Sequence, residues 1–299
     1  MKAILYAVLG AVAALAAGCA RSNADAHRVV VTLPALESIV TDLAAGTSIH
    51  VVKLIPDDIS LPEIDQYLDD NEYVLDSAAR CDAVVDVRSV VAEDATYGEL
   101  RRRNIRIVEI DCATPADPDI APVPVIKSKK TPVPYIWLSA SNCMKMAEIA
   151  SKDLEKLYPA DSAALRANLK SLKSRYLGLM SAYGSRFASI ADFQAATLSS
   201  DFEYFIKEVD LFVAFRFPPD EAFWPETLAR DFKTAVRKGL IRTVVHRWKP
   251  SGPIGSLLDS CKVRTAVLTT GDPAMKSFDK GLYGLLEKNY KALLGAFEP

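Results

Sequence analysis

The sequence predicts an α/β fold of two lobes, each with a four-stranded, mostly parallel sheet flanked by helices, joined by one long rigid α-helix. Three observations lead to it. Eight short apolar runs rich in β-branched residues alternate with helical patterns, and continuously apolar strands belong to parallel sheets covered on both faces. The alternation falls into two groups of four strands. A single uninterrupted helical stripe separates the groups.

In the first group, strands are expected at 28–33, 50–55, 83–87 and 105–110, with helices at 35–45, 64–79 and 94–103. Six prolines then fall at 115, 118, 122, 124, 132 and 134. Proline removes a donor and blocks helix, so 111–134 should be an extended surface connection. A helix at 142–157 closes the lobe, with Ser139 and Asn142 well placed to cap it. The dividing stripe is Leu165, Leu169, Leu172, Tyr176, Met180, Tyr183 and Phe187, stepped by three and four on one helix face. Pro159 and Asp161 signal its start, with Asp161 as N-cap. At 1.5 Å per residue the rod is roughly 35–40 Å long, enough to run along both lobes. The second group has strands at 193–198, 211–217, 242–248 and 264–268 and helices at 202–209, 226–238 and 282–297. The expected organisation is therefore a lobe over 28–158, a linking helix over 159–187 and a lobe over 188–299.

The 299 residues are 50% hydrophobic with a formal net charge of −2. That balance lacks the basic face nucleic acid would require. At the N-terminus Lys2 precedes an apolar run from Ala3 to Ala17, too short for a membrane span and suited to export. Small residues ending in Gly18-Cys19 resemble a bacterial lipobox, implying a signal peptide over 1–18, lipidation of Cys19 and a tether over 19–27. Leu15 lies one position further from the cysteine than that pattern wants, and a plain signal peptide is the alternative. The other cysteines, Cys81, Cys112, Cys143 and Cys261, show no zinc spacing. They can pair in three ways or remain buried free thiols.

No phosphate loop, GxSxG elbow or HExxH motif occurs, and no nucleophile with a base and orienting group can be assembled, so an enzyme is not expected. Of the three histidines, His27 falls in the tether and His50 at a strand start, both surface positions. His246 lies near a strand end, where open α/β sheets place ligands. Asp57, Asp58, Glu63, Asp65, Asp69 and Asp70 form an acidic run best read as a solvated loop and helix face. Asp272, in "TTGDPAMK", lies in turn chemistry that can reach a cleft. In "LFVAFRFPPDEAFW", Phe217, Phe223 and Trp224 suit a cleft or partner surface, and Phe212 and Phe215 suit the core.

Five segments, in order, resemble the metal-binding receptors of bacterial zinc and manganese ABC importers. "VVVTLPALESIVTDLAAGTSIHVVKLIP" is similar to the family's opening strand, helix and strand. "PYIWLSASNCMKMAEIASKDLEKLYPADSAAL" resembles its DPHxWLDPxNxxxMA block, and "SSDFEYFIKEVDL" its HDAFxYFxxxYGL block. "PETLARDFKTAVRKGLIRTVV" and "YGLLEKNYKALLGAF" resemble its last helix-strand unit and closing helix. The resemblance implies four metal ligands drawn from both lobes, chiefly His with Asp or Glu. Residue by residue they are missing. Leu61 or Pro62 stands at the first His position, Tyr135 at the second, Ser199 at the third and Thr269 at the late Asp. Val133, Ser139 and Ser200 replace flanking aspartates, and the His-rich loop of zinc-specific members is absent. Phenols and hydroxyls are poor ligands for zinc or manganese.

The resemblance therefore implies an exported, lipid-anchored solute-binding protein at the periplasm or outer face of a bacterial membrane, monomeric, serving an ABC permease, with a remodelled or degenerate metal site. The alternative is a lipoprotein that no longer binds metal and acts through protein–protein contacts. Tyr135, Ser199, Asp201, Glu203, His246, Thr269 and Asp272 are the ligand-cleft candidates. No cofactor follows from them unless a rewired set holds a divalent zinc or manganese ion.

Overall fold

A computed structural model describes residues 27–92, 94–128, 130–219 and 222–298. The signal segment 1–18, Cys19 and nearly all of the tether lie outside the described residues. His27, the last tether position, instead opens strand β1 (His27–Val31), where its ring packs 4.2 Å from that of Tyr158.

The first sheet contains β1, β2 (Ile49–Lys53), β3 (Ala83–Asp86) and β4 (Val108–Asp111), all parallel in the order β2-β1-β3-β4. Helix α1 (Pro34–Ala44) returns the chain from β1 to β2. The expected helix at 64–79 is two, α2 (Ile64–Asp70) and α3 (Glu72–Ala78), broken at Asn71. The Asn71 side-chain amide donates to the Tyr67 carbonyl at 2.9 Å, drawing it out of the helical ladder. Helix α4 (Thr96–Arg103) precedes β4. The fourth strand starts later than the apolar run suggested, because Ile105 sits in an exposed turn.

The proline-rich connection runs along the surface as expected but folds a two-residue antiparallel hairpin, β5 (Lys127–Ser128) with β6 (Thr131–Pro132). A 3₁₀ turn, Ile136–Leu138, leads into α5 (Ala140–Leu157), whose N-cap Ser139 accepts the Asn142 N–H. The linking helix is α6 (Ser162–Ala188), preceded by a 3₁₀ turn at Pro159–Asp161. Asp161 does not cap it; its carboxylate instead accepts from the Ser48 backbone N–H and hydroxyl. The seven-residue stripe holds in outline, with Leu165, Leu172, Tyr176, Tyr183 and Phe187 buried.

The second sheet holds β7 (Gln194–Thr197), β8 (Phe212–Arg216), β9 (Thr243–His246) and β10 (Arg264–Val267), parallel in the order β10-β9-β7-β8. Its helices are α7 (Glu203–Glu208), α8 (Glu226–Arg237), α9 (Gly252–Ser260) and α10 (Gly281–Phe297). Helix α9 was not anticipated, since its Gly-Pro opening reads as a loop, although proline in a first helical turn is a start signal. Phe212 is exposed rather than in the core because β8 is an edge strand. Phe215, Phe217 and buried Trp224 join Phe232 in the second lobe's own apolar cluster, while Phe223 is exposed. One continuous core packs the first sheet, α1, α5, α6 and α10 together. The six acids of the run, Asp57, Asp58, Glu63, Asp65, Asp69 and Asp70, are all exposed. The four described cysteines are free thiols, three of them buried.

Candidate functional site

The carboxyl ends of both sheets open toward one another, and the loops leaving them bring the charged and hydroxyl side chains together. Tyr135 stands at the head of the 3₁₀ turn before α5; Asp201 follows β7; Arg247 follows β9; Thr270 and Asp272 follow β10. Leu61 approaches from the first lobe after β2.

The contacts run in a chain across the interface. The Leu61 N–H donates to Asp272 Oδ1 at 2.9 Å, and the Tyr135 hydroxyl donates to Asp272 Oδ2 at 3.1 Å. Arg247 Nη2 donates to the Tyr135 oxygen at 2.7 Å and to Thr270 Oγ1 at 3.0 Å. Arg247 Nε lies 2.8 Å from Asp201 Oδ2, though its N–H is not aligned for a hydrogen bond, so that contact is an ion pair held by proximity. Ser199 Oγ donates to the same carboxylate oxygen at 2.6 Å. The guanidinium also lies 5.2 Å from the Tyr135 ring centroid. Trp137 packs edge-on to that ring, and its indole N–H donates to the Thr270 carbonyl at 2.9 Å. Trp137→Phe is expected to lower stability by about 1–2 kcal/mol, read as a lower urea midpoint, because a buried carbonyl loses its donor.

Burial pushes the Asp272 carboxyl above its ordinary range, against the pull of Leu61, Tyr135 and Arg247. Burial chiefly, aided by the charge of Asp272, drives the Tyr135 phenol far above its usual value. Tyr135 is therefore a neutral hydroxyl, which donates to one carboxylate and accepts from one guanidinium.

Sequence reasoning picked out four members of this neighbourhood, Tyr135, Asp201, Asp272 and, acting through Asp201, Ser199. Glu203 is near but engaged elsewhere, its carboxylate gripping Arg216 with one contact of 3.0 Å. His246 is buried at the end of β9 with its ring 4.4 Å from that of Trp248. Thr269 faces away: its N–H donates to Asn289 Oδ1 at 2.9 Å and its hydroxyl lies 3.2 Å from that of Ser277. The central residue, Arg247, was passed over, although it adjoins His246 in "VVHRWKP" and so sits at the strand end that drew attention to the histidine. Beside it opens a cleft of about 530 Å³ lined by Ser199, Ser200, Asp201, His246, Arg247 and Trp248 among others. Among the described residues, no group of three or more His, Cys, Asp or Glu side chains is placed to hold a metal ion.

A family model described as the periplasmic component A of the zinc-uptake complex, ZnuA, matches residues 29–249. The chain belongs to the ZnuA family. That agrees with the two parallel sheets and linking helix, and with the resemblance to receptors of zinc and manganese ABC importers; the family is one of solute-binding proteins, not of enzymes. A protein of Treponema pallidum (strain Nichols) named "Putative metal-binding protein" is 24% identical over 227 residues, 69% of each chain. The metal-dependent lipoprotein YcdH of Bacillus subtilis superposes with a TM-score of 0.71 at 17% identity, over 91% of this chain and 99% of that one. The solute-binding protein FpvC of Pseudomonas aeruginosa in complex with Mn²⁺ gives 0.66 at 19% identity, over 89% and 98%. These likenesses concern the fold. In this ZnuA-family chain the cleft contacts centre on an arginine, Arg247.

Proposed function

We propose that this ZnuA-family protein is the extracytoplasmic receptor of an ABC importer whose ligand site has been rebuilt around a cation of its own, the guanidinium of Arg247. One observation carries the reading. Asp201, Tyr135 and Thr270 turn their oxygens onto Arg247 between the lobes, where a receptor of this kind would offer oxygens and imidazoles to a metal. A fixed positive charge there offsets the carboxylates and repels a divalent ion. The phenol and hydroxyls around it are also weak first ligands for zinc or manganese. The solute that fits is a small polar molecule in the adjoining cleft, where serine hydroxyls, an arginine–aspartate pair and the Trp248 ring supply contacts of several kinds. Export through residues 1–18, anchoring at a lipidated Cys19, a monomeric state and docking on a permease complete the proposal. Support for them comes from the leader sequence and the family, and no described helix is long and apolar enough to cross a membrane.

The test is metal analysis of natively purified protein together with thermal unfolding in Zn²⁺, Mn²⁺ and Fe³⁺. A bound ion at one hundred times its Kd would add ~2.7 kcal/mol of stability. No shift and no co-purified ion are expected. Stoichiometric zinc or manganese in the purified protein would overturn the reading.

A further inference from the structure

The carboxyl end of the first sheet belongs to the cleft; its amino end is a separate surface. There the turns that lead into β3 and β4 lie side by side with the start of β1. The Asp82 N–H donates to the Arg28 carbonyl at 2.8 Å, and the Val108 N–H to the Asp82 carbonyl at 3.0 Å. Asn104 Nδ2 donates to the Ala79 carbonyl at 2.8 Å, which fastens the turn before β4 onto the turn before β3. These contacts bring Arg80, Ile105 and Arg106 onto one edge, and all three are exposed.

That edge combines two chemistries. Ile105, the residue left out of β4, is 71% exposed in its turn. Arginines surround it. Arg106 follows it directly and Arg80 stands on the adjoining turn. Arg101, near the end of α4, donates from Nη1 to the Ile107 carbonyl at 3.0 Å, which pins a third guanidinium beside the same turn. Among the described residues no acid pairs with any of these three, whereas Arg103 is held by Glu72, Asp76 and Glu99. Acids on the same edge are engaged. Glu99 also holds Arg102, and the Asp82 carboxylate accepts the Tyr158 hydroxyl and the Arg28 N–H, each at 3.1 Å. An exposed aliphatic side chain among uncompensated arginines suits a partner that is negative at its surface and apolar beneath. The headgroup layer of an anionic bilayer is such a partner.

The chain enters the fold on this same edge. His27 opens β1, and β4 lies two strands away in the order β1-β3-β4, about 10 Å at the usual strand spacing. The stretch from Cys19 to His27 spans no more than roughly 28 Å even at full extension. A lipid on Cys19 would therefore hold this edge close to the bilayer. A few arginines bind a membrane weakly, but a short tether supplies an effective concentration on the order of millimolar, at which weak contacts suffice. We infer that the amino edge of the first sheet, with Arg80, Arg101, Ile105 and Arg106, is a docking surface for the anionic bilayer that carries the anchor. This rests on the lipidated Cys19 proposed above. In the docked pose the arginines meet lipid phosphates and Ile105 enters the headgroup layer. The cleft, at the opposite ends of the same strands, then faces away from the membrane.

The experiment uses the chain from Cys19 to Pro299, which holds every described residue, made without its leader so that no lipid is attached. It is mixed with vesicles of phosphatidylcholine, alone or with an equal part of phosphatidylglycerol, and the bound fraction is read by co-sedimentation at about 0.02 M and about 0.5 M KCl. Binding is expected on the anionic vesicles, strongest at low salt. Arg80→Ala and Arg106→Ala should each weaken it about fivefold. Ile105→Ser should weaken it without altering its salt dependence. The double variant Arg237→Ala with Lys238→Ala, two exposed cations of the second lobe, should leave it intact. The inference is overturned if the anionic vesicles capture no protein at low salt, or if neutral vesicles capture as much. It is equally overturned if Arg80→Ala, Arg106→Ala and Ile105→Ser bind like the parent, or if the second-lobe pair weakens binding as much as they do. The mass of the full chain recovered from membranes tests the anchor separately. An unlipidated Cys19 would overturn the anchoring reading, while the vesicles decide the docking surface.

Discussion

Replacing Arg247 with methionine is expected to lower stability by about 1–3 kcal/mol and, at the same time, to let the cleft bind a divalent cation. Methionine keeps roughly the length and packing of the side chain but removes its charge. Asp201 then loses its ion pair, the Tyr135 oxygen loses its donor, and Thr270 Oγ1 loses its contact. The cost stays below that of a fully buried pair because Arg247 and Asp201 side chains each keep 27% exposure, so water can partly solvate the carboxylate left behind. Those vacated contacts leave Asp201, Tyr135 and, one bond further on, Asp272 around a volume that a cation can enter. An all-oxygen set favours Mn²⁺ over Zn²⁺. The measurement is a thermal titration of parent and Arg247→Met with both ions. A gain of metal-dependent stability in the variant alone supports the internal-cation reading. Equal silence from both proteins would show that the guanidinium is not what excludes metal.

Glu208→Ala should be the costliest single substitution outside the apolar core, on the order of 3 kcal/mol or more. The Glu208 carboxylate, at the end of the short helix α7, accepts the Ala140 N–H at 2.7 Å, the Ser141 N–H at 2.8 Å, the Ser139 hydroxyl at 2.5 Å and the Tyr290 hydroxyl at 2.7 Å. It therefore supplies acceptors for the otherwise unsatisfied amides at the start of the 18-residue helix α5, and its negative charge faces the positive end of that helix. Truncation leaves several donors unpaired at once, in a place that joins three helices. Urea unfolding of Glu208→Ala and Glu208→Gln checks this: the amide variant keeps one acceptor and should recover part of the loss. A change below about 1 kcal/mol for alanine would show that solvent replaces the carboxylate easily.

The fold was largely legible because its strands are buried on both faces and therefore announce themselves as apolar runs. Val29 to Val31, Ala83 to Val85 and Val244 to Val245 are all fully buried. Less was legible where polar side chains redirect the backbone. Asn71 breaks a helix by bonding to its own chain, and Asp161 abandons the cap position for Ser48, choices that depend on partners 4 and 113 residues away. The site divides in the same way. Tyr135 was visible because it stands where the family places a histidine. Arg247 was not, since one arginine beside a strand end is ordinary until Asp201, Tyr135 and Thr270 are seen to converge on it. Thr269 and Asp272 show how far a short loop can mislead: three residues apart, one turns toward α10 and the other toward the first lobe.

Helix α6 packs on α5 and α1 of the first lobe and on α10 beside the second sheet. A single stiff rod fastened to both bodies leaves them little room to swing, unlike a receptor hinged on slack strands. In a receptor built on such a rod, capture and release would fall to side chains and loops at the cleft rim rather than to wholesale closing of a jaw. A scaffold arranged before its solute arrives would sacrifice little backbone freedom on association. A permease meeting this protein would have to sense a change of surface detail, since the outline of the free and loaded forms would be nearly the same.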